Sequence, residues 1–302
     1  MLNVSFARWL PIYKPAAHTS HDVVALARRA LHFRKIGHTG TLDPDVTGVV
    51  VLALGKATRL IQYLPGTKTY HAWIRLGITT DSYDSSGHVQ QERPVPALSH
   101  HELDNALDAF RGSISQQAPM VSAVSVNGQR LYKLARRGVE LAERPVRQVE
   151  IHELTLRQWQ SPLIELEVTC SSGTYIRALA HDLGEALGCG GILERMERTM
   201  ANGVGVAQCV PLDQLVPLAQ NPEPGLAVAA LLPHLPPITL TTDTELLHLF
   251  QGKTLAVDIP PGTTAENVFR VYAPSGEWVS LAAFTPEGLK SKIWMLEGSP
   301  QT

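Results

Sequence analysis

Cysteine is scarce in this chain of 302 residues: Cys170, Cys189 and Cys209 are the only three, an odd number with no close pair. That argues against a disulfide framework and a cysteine-based zinc site, and it fits buried reduced thiols. Long apolar runs are missing as well. Nothing approaches the roughly 18 residues of a membrane helix, and Met1–Arg8 lacks a charged segment leading into an apolar core, so neither a signal peptide nor a membrane span is expected. There is no P-loop, no dinucleotide fingerprint and no His-Glu-x-x-His, which removes the common nucleotide, redox-cofactor and zinc-hydrolase signatures. Neither sign of charge dominates. A net charge of −2 with 44% hydrophobic and 18% charged residues describes an ordinary globular chain, long enough for one large domain and a small one.

The near-neutral total hides an uneven distribution. Residues 1–80 hold ten Lys or Arg against three acids, a source of phosphate-facing surface. A second cluster, Arg130, Lys133, Arg136 and Arg137, has Tyr132 set among it. On charge alone either cluster reads equally well as a solvated face.

The most informative stretch is Gly37-His38-Thr39-Gly40-Thr41-Leu42-Asp43-Pro44, followed by Thr47-Gly48 and the apolar run Val49 to Leu54. Its glycines and proline make it a poor helix and a poor strand. Pro44 restricts the residue before it to extended geometry, so Asp43 is presented on a stiffened loop. Two readings fit Asp43 at this point: a reactive carboxylate, or an Asx-turn residue that stabilises the bend.

Around this loop, Ser20 is placed to cap a helix carrying Val23, Leu26, Ala27 and Ala30, and Val49 to Leu54 reads as a buried strand. Tyr70, Ala72, Ile74 and Leu76 alternate with His71, Trp73 and Arg75 as a second strand, expected in the same sheet. Ser99-x-x-Glu102 is a capping box before a helix striped with Leu103, Ala106, Leu107 and Phe110. Ile164 to Cys170 alternates again, and Thr174 is expected to open a helix with Ile176, Leu179, Ala180, Leu183 and Leu187 on one face. Arg177 then falls in a first turn, where the helix dipole disfavours a cation, so either an anionic neighbour or plain exposure accounts for it. Proline accumulates over residues 219–237, the expected domain boundary, and short strands such as Val268 to Tyr272 and Trp278 to Phe284 follow.

Tyr13-Lys14-Pro15, the Asp43 loop, Lys68-Thr69-Tyr70 and Cys170-Ser171-Ser172-Gly173-Thr174-Tyr175-Ile176-Arg177 together resemble bacterial tRNA pseudouridine-55 synthases, the TruB type, through nearly the whole chain. The resemblance implies an α/β (α+β) fold: a mixed-sheet core with flanking helices in residues 1–232, an RNA-gripping insertion at about 117–147, and a small PUA-like β-barrel in 236–302. It implies isomerisation of uridine 55 in the tRNA T-loop, with no cofactor and no metal, by a cytoplasmic monomer that needs no protein partner and no membrane. Asp43, Tyr70 and Arg177 take the catalytic positions, Asp43 as the nucleophile at C1′ and Arg177 as its ion-pair partner. His38, Tyr70, Tyr175, Met196, Lys14, Lys68 and Arg198 take the substrate-binding ones, with Tyr70 stacked on an extruded base. Met196 replaces the usual leucine at nearly constant volume. The chain departs from the family pattern at Tyr13, Ala17, Ser125, Ser172 and Glu197, and the last three remove positive charge, so weaker tRNA binding is expected. A tRNA-folding chaperone without catalysis, a hydrolase using His38 and Asp43, and a guide-RNA-dependent synthase are the alternatives. The hydrolase lacks a nucleophile elbow, and the guide-dependent type has basic tails absent here.

Overall fold

The computed structural model describes residues 6–296, except Ala123, Asn127, Arg136, Glu140, Ala142, Glu143, Ala219, Pro222 and Glu223 and the side chain of Tyr132. Part of the second basic cluster and part of the 219–237 boundary therefore lie outside the described residues. No helix among the described residues is long and apolar enough to cross a membrane.

One mixed eleven-stranded sheet organises the chain. Its main path runs Val210–Pro211, Ala7–Lys14, Thr47–Gly55, Gly191–Ala201, Lys68–Leu76, Leu163–Cys170, Val146–Gln160 and Gly112–Gln117. Pairing is antiparallel along this path except between Gly191–Ala201 and Thr47–Gly55, and between Ala7–Lys14 and Val210–Pro211. Helices Ser20–Ala30, His100–Leu107 and Ile176–Ala186 contribute to the core on one face, where Leu10, Ile12, Val50, Leu52, Ile74, Leu166 and Leu179 are buried. The unbroken apolar run of Thr47–Gly55 follows from burial on both faces. Val49, Val51 and Ala53 join a second cluster with Trp9, Val228, Leu231, Leu281, Ile293 and Met295. Lys68–Leu76 instead alternates, burying Tyr70, Ala72, Ile74 and Leu76 and leaving His71, Trp73 and Arg75 half-buried.

Two helix starts differ from the expectation. Thr19, not Ser20, caps the first helix, because Thr19 and Asp22 form a reciprocal capping box. Ser20 is released for another task and accepts the Leu42 N–H at 2.8 Å. The later helix starts at Ile176 with Tyr175 as its N-cap, while the Thr174 hydroxyl donates to Ser171 O at 3.0 Å and closes the preceding turn. Ser99 caps His100–Leu107 with Glu102, as its sequence predicts.

Residues following Gln117 build a lobe around Ala118, Met120, Val124 and Leu131, with a hairpin of Ser125–Val126 and Gln129–Arg130 and the helix Leu131–Ala135. The boundary segment is more than a linker. Leu226–Ala227 pairs with Ala7–Lys14, and Trp9 Nε1 donates to Val228 O at 2.9 Å. Beyond it, Pro237–Thr239, Val268–Tyr272, Trp278–Thr285 and Gly288–Trp294 form a four-stranded sheet that is open rather than a closed barrel. Helix Asp243–Phe250 packs against it through Leu246 and Leu249. Lys56 Nζ ties this unit to the main sheet by donating to Met295 O at 3.0 Å and Leu296 O at 2.6 Å.

Candidate active site

The sheet register brings the motifs to one end. Tyr70 stands opposite Val168 on one side and Arg198 on the other, and Arg198 in turn lies beside Gly48. Gly48 has φ +111°, and a Cβ there would lie 2.2 Å from Arg198 O, so glycine alone permits this close approach. From this base the Asp43 loop projects, anchored on both sides of the aspartate. Ser20 accepts from Leu42 N–H. Arg198, 1% exposed, donates to Val49 O at 2.7 Å, Gly40 O at 3.1 Å and Thr41 O at 3.2 Å. Lys14, fully buried, donates to His18 O at 2.6 Å, Pro44 O at 2.9 Å and Pro15 O at 3.0 Å. Burial pushes the Lys14 ammonium down to about 8, opposed by Asp45 and Asp43. Its three protons meet three carbonyls, an arrangement that a neutral amine with two would leave incomplete.

Asp43 faces a cleft of about 340 Å³, a size suited to a small organic group. Tyr70, Tyr175, Met196, Lys68 and Arg177 share the cleft wall. Asp43 Oδ2 lies 3.1 Å from Arg177 Nη2, although the two residues are far apart along the chain. The guanidinium is 6% exposed and has three further partners: Asp84 Oδ2 at 3.1 Å, Ser82 O at 3.1 Å and Val121 O at 2.9 Å. It thus fastens the catalytic-loop candidate, the 82–84 turn and the lobe to one helix. Asp84 is itself held: its Oδ1 accepts from the hydroxyls of Ser82 and Ser86, both at 2.6 Å.

Tyr70 is buried, which raises its hydroxyl above the ordinary tyrosine value and keeps it protonated at neutral pH. Lys68 is also buried, its charge lowered in pKa by desolvation and then by Arg198, and it donates to Gly66 O at 2.8 Å. Tyr175 packs on the lobe core, and Met196 packs on the main core beside the cleft. His38, Lys14 and Arg198 do not line the cleft. His38 is half-buried on Ile36–His38, and burial, then Arg198, lowers its pKa. Of the departures from the family pattern, Tyr13 and Glu197 meet: the Tyr13 hydroxyl donates to Glu197 Oε1 at 2.9 Å. Ser125 and Ser172 are exposed.

Asp84 and Ser20 escaped sequence reasoning. The run Asp81-Ser82-Tyr83-Asp84-Ser85-Ser86-Gly87 signals only a polar turn, and Ser20 reads as a cap.

A loop carboxylate paired with a buried guanidinium, beside two tyrosines in a cleft, is an arrangement suited to chemistry at one acid side chain. Residues 28–176 match the TruB family pseudouridylate synthase model (N terminal domain). A tRNA pseudouridine synthase B from Synechococcus sp. (strain WH7803) is 50% identical over 249 residues, covering 81% of this chain and 79% of that protein. Another, from Synechococcus elongatus (strain ATCC 33912 / PCC 7942 / FACHB-805), is 44% identical over 283 residues, covering 93% and 95%. The chain belongs to the TruB family of pseudouridylate synthases, and it is an isomerase. Its fold is shared with solved structures of an archaeal box H/ACA sRNP Nop10-Cbf5 complex (TM-score 0.71, 21% identity, 97% of this chain and 87% of that one) and a Cbf5-Nop10-Gar1 complex (TM-score 0.70, 24% identity, 98% and 82%).

Proposed function

We propose that this chain converts uridine 55 in the T-loop of tRNA to pseudouridine, with Asp43 as the nucleophile. The single observation that carries this is the 3.1 Å pairing of Asp43 with the buried Arg177 at the mouth of the cleft. The target base is swung out of the T-loop onto Tyr70 and faced by Tyr175 and Met196. The Asp43 carboxylate attacks C1′, and the N1–C1′ bonding pair leaves with the uracil, whose charge Lys68 helps to balance. The base turns, C5 attacks C1′ and displaces Asp43, C5 loses its proton and N1 gains one. The product is an isomer of the substrate, so the reaction consumes no oxidant, reductant or other reactant. Tyr70 serves as a platform, because its raised pKa disfavours a phenolate at neutral pH.

Lys14 and Arg198 serve binding through the loop they hold, and His38 steadies the extruded strand. The lobe at about 117–147 grips the T-arm, the terminal sheet is a PUA-like module, and the protein acts as a cytoplasmic monomer. Mapping pseudouridines in tRNA from cells with the wild-type protein, with Asp43→Asn, or with neither tests the reading. Loss of the T-loop modification in the last two is expected. Retention of full biological activity by Asp43→Asn, with no pseudouridine made by wild type, would establish a folding chaperone instead.

A further inference from the structure

Ser122, on the lobe, lines the cleft, and its hydroxyl has no role in the proposed mechanism. Ser122 is 6% exposed, lines the cleft, and its Oγ has no hydrogen-bond partner among the described residues. Three other buried side-chain atoms share that condition, His38 Nδ1, His181 Nδ1 and Trp294 Nε1, but none of those residues lines the cleft. Burying a hydroxyl without a partner costs stability, and the simplest repair, alanine, would preserve the wall.

Ser122 is also held in place from both sides. Its N–H donates to Met120 O at 3.0 Å, and the preceding carbonyl, Val121 O, accepts from Arg177 Nη2 at 2.9 Å. The same Nη2 holds Asp43. One guanidinium nitrogen therefore fixes both the proposed nucleophile and the backbone that carries the unpartnered hydroxyl.

We infer that Ser122 is a substrate-binding residue whose hydroxyl, shut off from solvent in the free protein, turns about χ1 into the cleft to hold the polar edge of the extruded uracil while the base turns. The inference rests on the isomerase reading. Uracil presents carbonyl, N–H and carbonyl along one edge, and turning the base so that C5 replaces N1 exchanges the two carbonyls while N3–H stays between them. A serine hydroxyl donates and accepts and rotates freely, so it keeps a partner on that edge in both orientations. A backbone amide or a cation, which only donates, can meet the two carbonyls but never N3–H, whereas the hydroxyl can follow all three positions as the base turns. The contact gains strength from burial, since a hydrogen bond in a site shut off from water is worth more than one in solvent.

Ser122→Ala tests the assignment, assayed beside wild type on a tRNA T-arm hairpin. The expected result is a 10- to 100-fold fall in single-turnover pseudouridine formation, RNA affinity within twofold of wild type, and a melting temperature unchanged or raised, because the variant removes a group the free protein leaves unsatisfied. A rate within twofold of wild type overturns the inference. So does a parallel loss of rate, affinity and melting temperature, which marks Ser122 as structural. Wild-type protein that binds the hairpin and forms no pseudouridine sinks the isomerase reading, and this inference with it; an active wild type with an equally active Ser122→Ala sinks this inference alone.

Discussion

Replacing Arg177 by lysine keeps the charge and removes the fork. In the native protein Nη1 serves Asp84 and Ser82 O while Nη2 serves Asp43 and Val121 O, so two nitrogens divide four acceptors between two sides of the site. A lysine ammonium is one nitrogen and reaches one side. With Asp84 the less exposed carboxylate, at 20% against 49% for Asp43, the lysine settles there and Asp43 is released. A charge-assisted hydrogen bond is worth about 1.5–3 kcal/mol, and the half-exposed Asp43 belongs at the lower end. Adding about 1 kcal/mol for the Val121 carbonyl gives about 2.5 kcal/mol, or roughly 70-fold in kcat at 1.36 kcal/mol per tenfold. RNA affinity should stay within about threefold, since the 6% exposed guanidinium offers no surface to a phosphate. Tritium release from RNA labelled at uridine C5 gives the rate, and filter binding the affinity. Arg177→Lys with wild-type kcat, or with affinity lost as steeply as rate, would refute the reasoning.

Gly48→Ala should destabilise the protein by more than about 3 kcal/mol, because its φ of +111° and the 2.2 Å approach of Arg198 O leave no room for a methyl group; an urea melt close to wild type would contradict this. His38 and His181 have pKa values lowered by burial, so below the usual 6.5 the unfolded chain binds protons that the folded one refuses. Stability from these groups is present above that value and is lost as the pH falls through it, and His38→Gln with His181→Gln should flatten the decline measured by denaturant melts between pH 7.5 and 5. Restoring lysine at the exposed positions, Ser125→Lys and Ser172→Lys, should each steepen the plot of log affinity against log salt by about 0.7–0.9, and unchanged slopes would show that neither position faces a phosphate.

Much of the scaffold was legible because its signals are local. Ser99-x-x-Glu102 announced a helix, alternation announced Lys68–Leu76, and the glycines around Asp43 announced a loop leading into a buried strand. Helix starts shifted by a residue or two where a competing cap won, as at Thr19, or where a threonine closed a turn, as at Thr174. The site was harder. Asp43 and Arg177 stood out through resemblance and through the odd placement of a cation at a helix start, but nothing local distinguishes Asp84 from any acid in a serine-rich turn. Lys14 and Arg198 show the same limit from the other side. A cation that feeds backbone carbonyls beneath a loop looks, in sequence, like one that meets a phosphate.

The terminal sheet shares side chains with the back of the strand that the Asp43 loop feeds: Leu281, Ile293 and Met295 lie against the same cluster as Val49 and Val51. Cutting the chain near residue 236 would strip oil from behind the Thr47–Gly55 strand and leave Trp9 and its neighbours wet. A truncated protein that loses activity would therefore report a loosened floor under Asp43 before it reported anything about a lost accessory module.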